Sequence, residues 1–302
     1  MSVATTQTAC VHGTPGVSGC ARIVDDEIAE GYTHGVAGLW PLSRFLTVLT
    51  CAVVLAASVG AFVAHGLSGL VTAWVVGVMC VVAVLVVTRD TRRHRRVRRR
   101  VRHEIKHVYD GGGFGEADIR SPGGRRGLVG VIGELRVADV LDQLPSRFHV
   151  LHDLEVSVPR GEGHHVVVAN VDHIVHTKRL CAVIETKVWA APELAIPQDR
   201  GLDVSTITDT RLINAVEEAC RGVRDTAGVA TCAIIVVLGA AARQIPDGGV
   251  VVSGAEIPIA LARGDKLKTV VFNAESMDMF CSDAPLPSWR ELVRNTPLQL
   301  SA

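Results

Sequence analysis

Two long uncharged apolar runs in the first third of the chain restrict its possible folds more than any other feature. They cover residues 45–64 and 70–87 and are separated by a short polar break at 65–69. Each run is close to the roughly 20 residues that a helix needs to cross a hydrocarbon core about 30 Å thick. A helix in a soluble core normally keeps one polar face, and these runs have none. We therefore predict two transmembrane helices within residues 43–88; the alternative is a helical hairpin buried in a soluble core.

A run of arginines follows the second apolar run directly. Nine of the fourteen residues from Arg89 to Arg102 are arginine. Positive charge beside a membrane span marks its cytoplasmic end. The pattern therefore predicts a multi-pass protein of the cell membrane whose C-terminal domain is cytoplasmic. With two spans, residues 1–42 are also cytoplasmic, and we expect this N-terminal segment to be mostly disordered.

The arginine run also has a helical pattern. Val97, Val101, Ile105 and Val108 recur on one side of a helix. Residues 89–126 are therefore predicted to form a basic juxtamembrane helix followed by a Gly-rich linker. Two partners suit the arginines of such a helix: the anionic head groups of membrane lipids and the phosphates of DNA. The position beside a membrane span favours the lipids, and the pattern is compatible with both.

The chain after the linker alternates helical and strand-like patterns. This predicts an α/β domain over residues 127–280, followed by a C-terminal helix and tail over 281–302. The predicted helices cover 128–144, 210–226, 257–263 and 288–294, and the predicted strands cover 148–158, 165–175, 180–188, 230–238, 249–252 and 270–272. The first three strands are joined by short turns and are expected to be antiparallel neighbours.

Four charged residues fall at informative positions of this domain. Glu134 lies on the first helix, Asp172 in the second strand, and Glu185 and Lys187 in the third. Residues two apart on a strand share a face, so Glu185 and Lys187 project together. A carboxylate inside an apolar strand is costly to bury unless a cation compensates it. Two carboxylates on neighbouring strands offer oxygen ligands to Mg²⁺. Such a metal lowers the pKa of a bound water and polarises a scissile phosphate, and a lysine beside it can orient that water.

These residues stand in an order that resembles the nuclease-related domain (NERD) family, which is placed in the PD-(D/E)XK nuclease superfamily. The matching motifs are Gly130-x-x-Gly133-Glu134, Val171-Asp172-His173-Ile174-Val175 and Ile184-Glu185-Thr186-Lys187-x-Trp189. The resemblance implies a restriction-endonuclease-like mixed-sheet domain that hydrolyses DNA phosphodiester bonds with Mg²⁺. By the same resemblance, Asp172 and Glu185 would bind the metal, Lys187 would assist the water, and Glu134 would be an accessory acidic residue.

The sequence departs from the family pattern at two positions and leaves other hypotheses open. Ala191 stands where the family often has glycine, and Glu218 stands nearest to a position that often holds glutamine. The domain is alternatively a catalytically inactive module, acting as a membrane-tethered scaffold for nucleic acid or protein. A third hypothesis is a membrane protein whose soluble part binds a small ligand or a phospholipid head group.

Individual residues also have structural interpretations. Glu185 and Lys187 are alternatively a solvated ion pair on an edge strand. His173 points away from Asp172 on its strand, which favours a packed or hydrogen-bonded histidine over a metal ligand. Trp189 is expected to anchor the core rather than to stack on a base. The cysteines within apparent strands and a helix are expected to be buried small side chains and not disulfides: Cys181, Cys220 and Cys232.

Overall fold

The computed structural model describes residues 8–30, 67–159, 165–189, 202–203, 210–227, 231–253 and 255–276. Along the helix Leu67–Tyr109 the backbone is described throughout, and the side chains are described at 77–79 and from Thr91 onward. The chain divides into two compact units. We call Met1–Cys20 with Arg126–Ala302 the sheet unit, and Ala21–Arg125 the helical unit.

The sheet unit is built on one mixed β-sheet, which has eight strands within the described residues. The strands are β1 Cys10–His12, β2 His149–Pro159, β3 His165–His176, β4 Cys181–Val188, β5 Leu202–Asp203, β6 Cys232–Leu238, β7 Val250–Ser253 and β8 Ile259–Arg263. Their order across the sheet is β1-β2-β3-β4-β6-β8-β7-β5. Strands β2, β3 and β4 are antiparallel neighbours, as predicted, whereas β4, β6 and β8 run parallel. Strand β4 therefore lies inside the sheet, and the hypothesis of an edge strand carrying Glu185 and Lys187 is wrong.

The sheet carries a helix-lined apolar core on each face. The described α-helices are α1 Val17–Glu30, α2 Leu67–Tyr109, α3 Pro122–Asp142, α4 Thr210–Ala227 and α5 Leu267–Ser276. Helix α4 packs on one face of the sheet, where Val216 and Val223 join the core. Helices α3 and α5 supply Leu141 and Leu267 to the core on the other face. Strand β6 is covered from both sides, which explains its continuous apolar sequence. The prediction of a mixed α/β domain is confirmed.

Two short elements near the end of the described chain have the opposite type from the one predicted. The predicted helix over 257–263 is strand β8, and the predicted strand over 270–272 lies within helix α5. Strand β8 consists mainly of alanine and leucine, which are good helix formers, but it lies between β6 and β7 and is buried on both faces. Tertiary packing therefore overrides local propensity here. The predicted helix over 288–294 lies outside the described residues.

The N-terminal segment contains more structure than the expectation of disorder over 1–42 allows. Within residues 8–30 it forms strand β1 and helix α1. Strand β1 pairs in parallel with the start of β2, with Cys10 opposite His149. The backbone N–H of Ala9 donates to Leu144 O at 2.7 Å just before this pairing. This strand could not be predicted from a sequence pattern, because it is only three residues long and its partner strand is distant in the chain.

Helix α3 also begins earlier than the predicted domain boundary near residue 127. It starts at Pro122, inside the stretch that was predicted to be a flexible linker. Ser121 caps the helix, because its Oγ accepts a hydrogen bond from the N–H of Gly124 at 2.9 Å. Proline is well suited to the first helical position, where its missing N–H costs nothing. Pro122, Gly123 and Gly124, which were among the residues that indicated a linker, therefore belong to a helix start.

Of the two predicted transmembrane runs, the structure describes only the second. The run at 45–64 lies outside the described residues. The run at 70–87 lies in helix α2, which continues without a break through the arginines to Tyr109. Within the described part of the chain, no helix has the length and apolar character needed to span a membrane.

Two glycines one turn apart on helix α3 are expected to respond oppositely to substitution by alanine. A Cβ on Gly133 would lie 2.8 Å from Cγ2 of Val188, whereas a Cβ on Gly130 would meet nothing within 4 Å. We expect Gly133→Ala to destabilise the protein by about 1 kcal/mol, since helix and sheet must separate. Gly130→Ala should stabilise it by up to about 1 kcal/mol through helix propensity. Denaturant unfolding of both variants measures the difference, and equal shifts would contradict the packing role of Gly133.

Candidate active site

Asp172 lies on strand β3 at the point where its pairing with β4 ends. The paired register reaches His173 opposite Ile184. Beyond this pair, a side chain replaces the backbone of β3 as the hydrogen-bond acceptor for β4: the N–H of Thr186 donates to Asp172 Oδ2 at 2.7 Å. The side chain is buried. The hydrogen bond holds the carboxylate against the backbone of β4, beside the two charged residues that β4 carries.

Glu185 and Lys187 project from the same face of β4, as their spacing predicted. Their side chains form an ion pair between Lys187 Nζ and Glu185 Oε1, and both are partly buried. The strand continues in register with β6 past this point, with Lys187 opposite Val237. The pair is therefore fixed on a central strand whose backbone is hydrogen-bonded to β6.

Glu134 approaches the same region from helix α3. Its side chain is buried, and the preceding Gly133 allows the helix to lie close to the sheet. The carboxylate faces the first turn of α1: a Cβ on Gly19 would lie 3.8 Å from both carboxylate oxygens, and one on Gly16 would lie 3.7 Å from Oε2. The glutamate is thus covered by the N-terminal segment as well as by the sheet.

The four predicted site residues share one electrostatic environment. Burial raises the pKa of Asp172 well above its ordinary value, the charges of Glu185 and Glu134 raise it further, and the Thr186 N–H and Lys187 act in the opposite direction. Burial lowers the pKa of Lys187, but the charges of Glu185, Asp172 and Glu134 outweigh burial, so the pKa is raised. Three carboxylates with one lysine leave an excess of negative charge in a poorly solvated place.

This excess of negative charge fits a divalent cation. Asp172 and Glu185 are the two carboxylates on adjacent strands, and Mg²⁺ commonly uses one or two carboxylates together with water and substrate oxygens. Among the described residues, no group of three or more His, Cys, Asp or Glu side chains could hold a metal ion. Asp172 and Glu185 are the residues of this cluster that could hold such a cation.

The N-terminal segment supplies a polar contact that the sequence did not reveal. The backbone N–H of Ser18 donates to Asp153 Oδ2 at 2.6 Å, and the side-chain amide of Asn170 donates to Ser18 Oγ at 2.7 Å. Asp153 has a left-handed backbone conformation with φ of 56°, which is uncommon for a residue other than glycine. Asn170 precedes Asp172 by two positions on β3. These contacts join residues more than 130 positions apart in the chain, so no local pattern could have indicated them.

A chain of hydrogen-bonded histidines lies next to Asp172 in sequence. His152 Nε2 is 2.9 Å from Asp142 Oδ1, and His152 Nδ1 is 2.7 Å from His173 Nδ1. Since a carboxylate only accepts, His152 carries its proton on Nε2, and its Nδ1 accepts a hydrogen bond from the Nδ1–H of His173. Burial lowers the pKa of both rings, so both are neutral. The prediction that His173 is a hydrogen-bonded core residue is confirmed.

The other residues singled out in the sequence have structural roles. Trp189 packs, partly buried, against the core on the α4 face of the sheet, as expected. Glu218 is exposed on α4. Its neighbour Glu217 is buried and accepts a hydrogen bond from the N–H of Glu256 at 2.8 Å. The predicted buried cysteines are free and buried: Cys181, Cys220 and Cys232.

The fold and the site together define a mixed α/β domain with buried carboxylates and a lysine on neighbouring inner strands. Residues 129–212 match the family model of the nuclease-related domain. The matched range contains Glu134, Asp172, Glu185 and Lys187, and it supports the NERD family and a nuclease-related function. No curated protein and no solved structure matches the chain.

Proposed function

We propose that this protein is a membrane-anchored nuclease that hydrolyses phosphodiester bonds of DNA with Mg²⁺. The proposal rests mainly on the grouping of Asp172, Glu185 and Lys187 in one partly buried site, where the charge of Glu185 raises the pKa values of both Asp172 and Lys187. Strongly perturbed groups of this kind are characteristic of functional sites. The match to the nuclease-related domain selects phosphoryl chemistry among the reactions that such a site could support.

Each residue has a distinct task in the proposed reaction. Asp172 and Glu185 would hold Mg²⁺, which when bound polarises the phosphate and lowers the pKa of a coordinated water. The N–H of Thr186 fixes the direction of the Asp172 carboxylate. Lys187, held by Glu185, is charged and can donate a hydrogen bond to the attacking water or to the phosphate oxygens as negative charge develops. Glu134, whose charge also acts on Asp172, would add negative charge that favours a bound cation.

The position of β1 is compatible with the proposed membrane anchor. Strand β1 precedes both apolar runs in the chain, and its hydrogen-bonded partner β2 follows them. Two strands of one sheet must lie on the same side of a membrane, so the intervening chain would cross it an even number of times. A hairpin of two spans meets this condition, and the arginines after 70–87 favour a cytoplasmic position for the domain, on the side where DNA is found.

The alternative proposal is an inactive scaffold with the same anchor, which binds nucleic acid or protein without hydrolysis. The Glu185–Lys187 ion pair favours it, because this pair already neutralises one carboxylate of the proposed metal site. The two proposals differ in whether Mg²⁺ has any effect on the protein.

Replacing Lys187 with alanine tests the proposed reaction. The full chain in detergent with Mg²⁺ should nick supercoiled plasmid, and Lys187→Ala should reduce the rate about a hundredfold, as removal of one transition-state donor typically does. The matched control is Lys178→Ala, an exposed lysine in the turn before β4. The full chain is needed because β1 precedes the apolar runs. Equal rates for the two variants would rule out a catalytic lysine.

A further inference from the structure

The apolar side of the arginine-rich part of α2 is not free to enter a membrane surface. Of the four residues that were predicted to share one side of the helix, Val101, Ile105 and Val108 are 0%, 9% and 1% exposed, and Val97 is half-buried. A helix that lies in the membrane interface buries its own apolar side among the lipids. Since this side is already covered by protein, the in-plane interaction that the sequence suggested is unfavourable.

The polar side of the same stretch carries a dense row of available positive charge. Arg100 forms a 3.6 Å ion pair with Asp118, in which both side chains remain largely exposed. Six further arginines on this stretch are exposed and form no ion pair with the side chains that the structure describes: Arg92, Arg95, Arg96, Arg98, Arg99 and Arg102. Charge repulsion within such a row makes a polyanionic partner favourable.

The continuity of α2 carries these arginines away from the proposed membrane span. Arg95 and Arg102 lie eight and fifteen residues beyond Val87 in the same unbroken helix, which is about 12 and 22 Å along its axis at 1.5 Å per residue. Electrostatic attraction to lipid head groups is screened over about 8 Å at physiological salt. For a helix along the membrane normal, the distal arginines are beyond the reach of the lipids; this step rests on the proposed anchor.

We propose that the exposed arginines of α2 from Arg95 to Arg102 bind the phosphate backbone of nucleic acid. Guanidinium groups donate paired hydrogen bonds that match phosphate oxygens, and neutralised phosphates release counterions, which drives binding without sequence preference. Binding at these arginines of the helical unit requires neither a metal nor hydrolysis. It would hold DNA near the membrane whether or not the sheet unit cleaves it.

The test compares DNA binding by the full chain and by a triple variant, Arg95→Gln with Arg98→Gln and Arg102→Gln, in nanodiscs of neutral phosphatidylcholine. Binding of a fluorescent 30-base-pair duplex is measured in chelator, so that cleavage plays no part. We expect the variant to bind at least tenfold more weakly near 0.1 M salt, with a plot of log K against log salt about three units less steep. Glutamine keeps the helix propensity, so the melting temperature should not change.

A second triple variant provides a charge-matched control: Lys178→Gln with Arg211→Gln and Arg243→Gln, which are exposed positions of the sheet unit. It should retain most of the affinity and salt dependence of the wild type. Equal losses in both triple variants would show that net charge alone matters and would overturn the proposal. Unchanged DNA binding in the α2 variant, together with slower hydrogen exchange at 95–102 only in anionic nanodiscs, would assign the arginines to lipid instead.

Discussion

Asparagine in place of Asp172 is expected to abolish cleavage while making the metal-free protein more stable. The loss of activity should be on the order of a thousandfold, because the substitution removes a charged metal ligand from the centre of the site. The gain in stability follows from burial and from repulsion by Glu185 and Glu134, both of which disfavour the ionised carboxylate. Asparagine keeps an oxygen acceptor for the N–H of Thr186 and carries no charge.

The stability difference should depend on pH in a defined direction. The pKa of Asp172 is raised in the folded state, whereas in the unfolded chain the group titrates near 3.8. Between these two pKa values the folded state binds the extra proton, so wild-type stability falls as the pH rises, by up to about 1.4 kcal/mol per pH unit. Asp172→Asn lacks this loss, and its advantage should therefore be larger at pH 8 than at pH 5.

The buried histidines contribute the opposite slope at lower pH. Burial and neighbouring His149 lower the pKa of His176 to about 4, and the rings of His152 and His173 are shifted in the same direction. These groups charge more readily in the unfolded chain, so stability falls as the pH decreases below about 6.5. The effect is common to wild type and variant and cancels in their difference, which isolates Asp172.

Magnesium provides the decisive comparison for Asp172. A cation that binds the folded state raises the melting temperature, so Mg²⁺ should stabilise the wild type and have little effect on Asp172→Asn. The exposed carboxylate of Asp225 offers a control, since Asp225→Asn removes the same charge outside the site. A melting temperature that Mg²⁺ raises equally in all three proteins would contradict metal binding at Asp172. No effect of Mg²⁺ on any of them, with no cleavage, would favour the inactive scaffold.

The sequence was sufficient to predict that Asp172, Glu185 and Lys187 lie together, because the three residues stand on two strands joined by a short turn. The spacing of Glu185 and Lys187 on one strand fixes a shared face, and the short turn after β3 brings Asp172 beside them. The sequence also indicated the apolar side of α2 and the central position of β6. The predicted types of strand β8 and helix α5 were wrong, because alanine, leucine and valine are compatible with either a strand or a helix until their neighbours in the fold are known.

Contacts between distant parts of the chain were beyond the reach of sequence patterns. Strand β1 pairs with β2, and Ser18 donates to Asp153, across more than 130 positions of the chain, and neither hydrophobic periodicity nor a motif marks these contacts. The arginines of α2 show the same limit in another form. Their pattern predicted an amphipathic helix correctly, but only the burial of Val101 and Val108 shows that the apolar side is occupied by protein.

Alanine in place of Gly13 is expected to release the N-terminal segment from the sheet. Gly13 has a φ of +84°, and a Cβ at this position would lie 2.3 Å from the backbone oxygen of His152. The clash is with main chain of β2 and cannot be relieved by a side-chain rotation. Together with the strain of a left-handed conformation, it should cost about 3 kcal/mol locally. Detachment of β1 would expose the edge of β2 and remove the cover that the first turn of α1 places over Glu134.

Gly111 supplies a control that separates the clash from backbone strain. It also has positive φ, of +110°, but a Cβ there would meet nothing within 4 Å. Hydrogen exchange of the amides in 9–12 and 148–152 should be at least tenfold faster in Gly13→Ala and unchanged in Gly111→Ala. The Mg²⁺-induced rise in melting temperature should also become smaller in Gly13→Ala, because the first turn of α1 holds Glu134 near the site. Unchanged protection of β1 in this variant would mean that Gly13 does not fix the N-terminal segment to the sheet.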